Sequence, residues 1–172
     1  GFNGPIYCTP PTAKLLPLMM EDSLRVGVTR NKRLIERFLQ DLQKHIRPMA
    51  YDKWHKLDGG IELRLTPAGH VLGSAIVEID HAAERFVSSG DLGSRHQPLL
   101  KDPLSPERAD LLVLESTYGN RNHVGREQRV EQLEKILCHT LENRGVTIIP
   151  AFSMGRTQEL LYEMNEIFER VE

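Results

Sequence analysis

The spacing of apolar positions changes twice along the chain and predicts three kinds of structure in turn. Gly1-Phe2-Asn3-Gly4-Pro5-Ile6-Tyr7-Cys8-Thr9 reads as a turn feeding a short strand. Pro10-Pro11-Thr12 punctuates, and Leu15, Leu16, Leu18 and Met19 predict a short helix. A longer helix follows Asn31, a suitable N-cap, because Leu34, Ile35, Phe38, Leu39, Leu42 and Ile46 recur at three- and four-residue steps until Pro48 stops them. The period then falls to two. Ile61-Glu62-Leu63-Arg64-Leu65 and Ala75-Ile76-Val77-Glu78-Ile79-Asp80 alternate as half-buried strands do, and Arg85-Phe86-Val87-Ser88 completes a hairpin with the second of them. Leu111-Leu112-Val113-Leu114 is a short apolar run, expected to be a strand buried on both faces.

The last third alternates between the two periods. Val130, Leu133, Leu137 and Leu141 form a helical stripe that Asn143-Arg144-Gly145 should terminate. Val146-Thr147-Ile148-Ile149-Pro150 is expected to be a strand, and Leu160, Leu161, Met164, Ile167, Phe168 and Val171 a final amphipathic helix. This order implies an α/β architecture with a change of unit near Gly119-Asn120-Arg121.

Composition narrows the class. With 172 residues, 40% hydrophobic and 27% charged, the chain is long enough for a proper core and unlike a disordered sequence. The formal charge is only −2, which excludes a broadly basic nucleic-acid coat. The charge is unevenly spread, however: residues 1–57 carry ten Lys/Arg against five Asp/Glu, and 58–172 carry twelve against nineteen. No apolar run approaches a membrane span. Two cysteines, Cys8 and Cys138, have no zinc-finger spacing and suit a reducing, cytoplasmic setting.

Three polar clusters each follow a predicted strand, where a sheet presents its loops along one edge. In Thr66-Pro67-Ala68-Gly69-His70-Val71-Leu72-Gly73-Ser74, His70 has a metal-ligand reading and a buried structural one. In Ser88-Ser89-Gly90-Asp91-Leu92-Gly93, a carboxylate between glycines can approach a cation closely, or simply mark a turn. In Leu114-Glu115-Ser116-Thr117-Tyr118-Gly119, a partly buried Glu115 could orient a histidine, cap a helix or pair with an arginine. The three stand 21 and 24 residues apart. There is no G-x-S-x-G elbow, Walker A loop, G-x-G-x-x-G or C-x-x-C, which leaves metal-assisted hydrolysis as the reaction class.

Taken in order, Pro67-Ala68-Gly69-His70-Val71-Leu72-Gly73-Ser74-Ala75, Ser89-Gly90-Asp91-Leu92-Gly93 and Leu114-Glu115-Ser116-Thr117-Tyr118-Gly119 resemble successive motifs of the metallo-β-lactamase superfamily. The third is characteristic of its RNA-processing β-CASP branch. Ile149-Pro150-Ala151-Phe152-Ser153-Met154-Gly155-Arg156-Thr157-Gln158-Glu159-Leu160-Leu161 resembles the opening of the β-CASP insert. Within the branch the chain is most similar to bacterial predicted exonucleases related to the nuclease subunit of the pre-mRNA cleavage and polyadenylation machinery. The resemblance implies residues 1–119 as part of an αββα metallo-β-lactamase-like domain and 120–172 as the start of a β-CASP domain. It implies His70 as a ligand of one zinc and Asp91 as a bridge between two. It also implies Asp91 and Glu115 as catalytic carboxylates, Glu115 supporting a later histidine that protonates the leaving group.

Two divalent ions about 3.5–4 Å apart would polarise the scissile phosphate and supply a hydroxide. The implied substrate is RNA, single-stranded in the first instance, cut as an exonuclease or endonuclease; no membrane partner is expected. A homodimer is allowed for through an open sheet edge.

Departures from the family pattern carry expectations of their own. The signature H-x-H-x-D-H is absent, as are the later β-CASP motifs and the final zinc histidine. The chain is therefore expected to be an internal fragment that binds zinc weakly or not at all and does not cleave RNA alone. Rival readings are a metallo-β-lactamase-fold hydrolase of another substrate such as DNA, and a non-catalytic nucleic-acid- or partner-binding scaffold. His45 is expected in a last helical turn, His55, His81 and His123 at the surface, His139 on a helix beside Cys138, and His96 in a loop near the site. Arg156 is expected to make an inter-domain ion pair or meet a phosphate. Arg25, Arg30, Lys32, Arg33 and Arg37 form either a solvated helix face or an RNA contact.

Overall fold

A computed structural model describes residues 2–121, 128–152 and 154–171; His123 and Ser153 lie outside the described residues. The chain opens with β1 (Ile6–Cys8) and α1 (Pro10–Gly27), then α2 (Lys32–His45) and β2 (Ile46–Pro48), which pairs in parallel with β1. After β3 (His55–Lys56) and a single 3₁₀ turn come β4 (Glu62–Pro67), β5 (Ala75–His81), β6 (Glu84–Ser88) and β7 (Leu111–Val113). Two helices, α3 (Arg129–Glu142) and α4 (Arg156–Val171), complete the mixed α/β architecture.

Helix α1 is much longer than the apolar spacing suggested. The Thr9 side chain caps it by accepting from Thr12 N, and Pro10 and Pro11 occupy first-turn positions whose missing N–H groups cost nothing. Pro17 lies inside it. Helix α2 starts as expected, with Asn31 Oδ1 accepting from Arg33 N and Leu34 N. It ends at His45, and Pro48 belongs to β2 rather than to a helix stop.

The five-stranded sheet has the order β3-β4-β5-β6-β7. β4 and β6 each run antiparallel to β5, and β7 runs parallel to β6. It follows that β4, β6 and β7 point the same way and deliver their C-terminal loops to one end of the sheet. The strict alternation in β4 and β5 does what a period of two requires. Leu63 and Leu65, set opposite Ile79 and Val77, pack with Met49, Tyr51 and Leu57 on one face. Ala68, Ile76, Val87 and Leu92 form the core of the other.

That second face carries ions at its far end. Glu78 is 1% exposed and accepts two hydrogen bonds of 2.8 Å from Arg64 and one of 3.0 Å from Thr66 Oγ1. Arg85 grips Asp80 through two contacts of 2.7 Å, and both guanidiniums lie against the Trp54 ring at 4.7 and 4.8 Å. A buried carboxylate is tolerable there because every oxygen is satisfied.

Two strand expectations fail. Leu111, Leu112 and Val113 are half-exposed, not buried on both faces, because β7 is the edge strand of the sheet. Residues 146–150 form no strand, and Val146 and Ile148 are each 87% exposed. An extended apolar segment becomes a strand only when a neighbour accepts its backbone hydrogen bonds, and the described residues offer none here.

Candidate functional site

Each of the three polar clusters leaves the same end of the sheet, and glycine fixes how they approach. After β4, Gly69 at φ +67° turns the chain into His70. The His70 and Val71 amides both donate to Ser74 Oγ, at 3.0 and 3.2 Å, which closes the loop back onto the start of β5. Gly73, at φ +95°, offers its carbonyl to the Thr9 and Thr12 hydroxyls at 2.8 and 2.9 Å, pinning the N-terminus of α1 against the histidine loop. After β6, Gly90 at φ +55° precedes Asp91, and Gly93 N donates to Ala68 O at 2.7 Å. The two loops touch so closely that a Cβ at Gly93 would sit 1.6 Å from Gly69 O.

This packing brings His70 Nε2 to 3.9 Å from Asp91 Oδ2, with both side chains open to solvent, 47% and 72% exposed. Glu115, just past β7, stands behind them. Its backbone N–H donates to Ser89 Oγ at 3.0 Å, its Oε1 accepts from Leu92 N at 2.6 Å, and its Oε2 accepts from Thr117 N at 3.4 Å. The Leu92 amide first, and Thr117 next, hold the Glu115 carboxyl below its ordinary value against a smaller opposing effect of burial. The carboxylate thus ties the aspartate loop to the strand beside it, and each oxygen keeps room for a further donor.

His70, Asp91 and Glu115 line one open cleft of about 840 Å³, which Tyr118, Phe152 and Arg156 also line. The other sequence candidates fall elsewhere. His96 is outside the cleft, its Nδ1 3.8 Å from Asp102 Oδ2. Arg156 lines the cleft, but its ion pair is with Glu159 in the first turn of its own helix, 3.0 Å away, instead of the inter-domain pair expected. His45 occupies the last turn of α2, His81 and His139 are exposed, and His55 is half-buried on β3.

Two residues that sequence reasoning passed over join the loops to α4. With its amide nitrogen turned inward, Gln97 donates to Gly69 O at 3.3 Å and to the buried Glu159 at 2.9 Å, while its oxygen accepts from Ser94 N at 3.0 Å. Glu159 lay within a motif already noted; Gln97 carried no local signal.

A tetrahedral zinc takes four donors. Among the described residues, no group of three or more His, Cys, Asp or Glu side chains converges. His70 and Asp91 therefore match half of such a set, and these residues do not by themselves make a metal centre.

No family model matches the chain. Individual relatives do. The chain is 38% identical over 167 residues to Ribonuclease TTHA0252 of Thermus thermophilus, covering 94% of this chain and 37% of that protein. It is 31% identical to Integrator complex subunit 11 of Danio rerio, over 99% of this chain and 29% of the relative. It is 33% identical to Transcription termination factor FttA of Methanocaldococcus jannaschii, over 96% and 27%. The chain thus spans about a third of the length of the curated relatives it matches.

Proposed function

This chain is a homologue of β-CASP metallo-β-lactamase RNA-processing nucleases, and on that premise we propose that the protein hydrolyses phosphodiester bonds of single-stranded RNA at a zinc centre to which His70 and Asp91 contribute. The observation that carries this reading is the approach of the two side chains to 3.9 Å at the mouth of one cleft. Imidazole and carboxylate are the donor types that hydrolytic zinc sites use. In this reading the remaining donors would come from residues corresponding to the additional length of the relatives. Two zinc ions, when bound, would supply a Lewis acid for the phosphate and a hydroxide at neutral pH.

What the chain's own residues do is position. Glu115 holds the Asp91 loop through Leu92 N and retains acceptor capacity for a histidine that would protonate the leaving oxygen. Residues 1–119 form part of an αββα metallo-β-lactamase-like unit in this reading, and 120–172 open a β-CASP unit; the end of the sheet at β7 and the switch to helices after it support that division. Its free cysteines, one of them exposed, suit a reducing compartment such as the cytoplasm, and no helix is long and apolar enough to cross a membrane among the described residues.

The test is cleavage of matched single-stranded RNA and DNA by the zinc-loaded full-length protein. RNA should be preferred, and His70→Ala and Asp91→Asn should each reduce its cleavage about 100-fold or more. Glu115→Gln should lower kcat about 10-fold or more with KM nearly unchanged, since the residue is assigned to holding and proton delivery. Preference for DNA, or full activity in the His70 and Asp91 variants, would overturn the assignment.

A further inference from the structure

The proposed chemistry leaves unused a concentration of positive charge at the far end of α1. Residues 23–37 contain five cations and one carboxylate in a chain whose total charge is negative. Arg25 is paired with Glu21, but Arg30, Lys32, Arg33 and Arg37 are exposed, and none has an ion-pair partner among the described residues. Glu36, on the same helix, neutralises none of them. Lys32 and Arg33 stand in the first turn of α2, which holds no acidic residue, so they face the positive end of the helix dipole. The Arg33 and Leu34 backbone donors there are already taken by Asn31 Oδ1, so the charged side chains are the main offer to a partner.

We infer that Arg30, Lys32, Arg33 and Arg37 form a second, sequence-independent contact for the phosphate backbone of an RNA strand whose other end lies in the cleft. This rests on the RNA reading above. The geometry comes from α1 itself. Its N-terminus is fastened to Gly73, three residues from His70, by Thr9 and Thr12. Its other end leads into the basic cluster 18 residues later. At 1.5 Å per residue the helix measures at most about 27 Å, which a stacked strand covers in about eight nucleotides at roughly 3.4 Å each. Four unpaired cations, Arg30 in the connecting loop and Lys32, Arg33 and Arg37 on the first turns of α2, match repeating phosphates. An acidic membrane would favour one helix with a continuous apolar face flanked by basic residues.

The test measures anisotropy of labelled oligouridine on the full-length protein, with Asp91→Asn present throughout to prevent cutting. The exposed cations are neutralised together as R30Q, K32Q, R33Q and R37Q, with the thermal midpoint checked to be unchanged. For an oligomer of about 20 nucleotides, Kd should rise about 10-fold, and the slope of log affinity against log salt should shrink by about 3, four contacts at roughly 0.7 each. An oligomer of about 4 nucleotides, too short to reach, should bind equally to both proteins.

Equal salt slopes, an equal loss with the short oligomer, or tighter binding of phosphatidylserine vesicles than of long RNA would overturn the inference. If RNA is cleaved but its affinity ignores the patch, the patch fails and the nuclease reading stands. If long RNA is held through the patch and never cut by the protein with Asp91 intact, the patch stands and the nuclease reading fails.

Discussion

At single positions the site depends on the absence of a side chain as much as on the presence of one. His70 and Asp91 meet because Gly69 and Gly93 let two loops touch backbone to backbone, with Gly93 N donating to Ala68 O. A methyl at Gly93 would fall 1.6 Å from Gly69 O and 2.6 Å from His70 N, far inside contact distance, and both obstacles are backbone atoms that cannot rotate away. Gly93→Ala should therefore cost about 3 kcal/mol and separate the two loops. Gly27 ends α1 with nothing within 4 Å of its would-be Cβ, so Gly27→Ala should instead stabilise by roughly 0.5 kcal/mol. Urea denaturation of the two variants beside the parent checks the opposite signs; a Gly93→Ala protein as stable as the parent would contradict the packing.

At the scale of elements, the β5–β6 hairpin turns through Ala82 and Ala83, both left-handed at φ +51° and +67°. That is the two-residue turn that matches strand twist, built from residues that pay for it in backbone strain, since Asn-Gly is the pair the geometry favours. Ala82→Asn with Ala83→Gly should raise stability by about 1–2 kcal/mol, read as a higher urea midpoint with an unchanged slope. The hairpin was legible from sequence through the alternation in 75–80 and 85–88, although its turn carried no turn residues. Alternation fails where it is missing. Leu111-Leu112-Val113-Leu114 reads alike for a central strand and an edge one, and 146–150 for a strand and an exposed segment. Only neighbours distinguish them. The apolar spacing in α1 predicts only a short helix because its apolar residues cluster early, whereas its start is set by Thr9 and two prolines. The His70, Asp91 and Glu115 loops stood out because glycine-flanked polar residues after strands are a local signal. Their supports, Thr9 and Thr12 on Gly73, Glu115 on Leu92 N and Gln97 on Gly69 O, join residues 23 to 64 apart and leave no periodic trace.

For the whole molecule the decisive quantity is the number of donors. His70 and Asp91 are both solvent-accessible, and among the described residues no third His, Cys, Asp or Glu completes a cluster with them. Zinc held by two protein donors keeps water in its other positions and exchanges readily, whereas a closed set of three or four is retained. The loops are nonetheless braced before any metal arrives, through Ser74 Oγ, Gly93 N and the Glu115 carboxylate. Donors from outside these residues would thus meet a pair already held at 3.9 Å rather than one that must first be ordered. On the proposed reading, the 172-residue chain, loaded with zinc, desalted and measured by elemental analysis, should keep well under one ion per molecule, whereas a longer form carrying the proposed remaining donors should keep about two. His70→Ala should lower even the trace that the 172 residues hold, since it removes one of their two donors. Stoichiometric retention by the 172 residues alone would mean that a complete donor set exists within them, and the division of the site between this chain and the rest of the protein would be wrong.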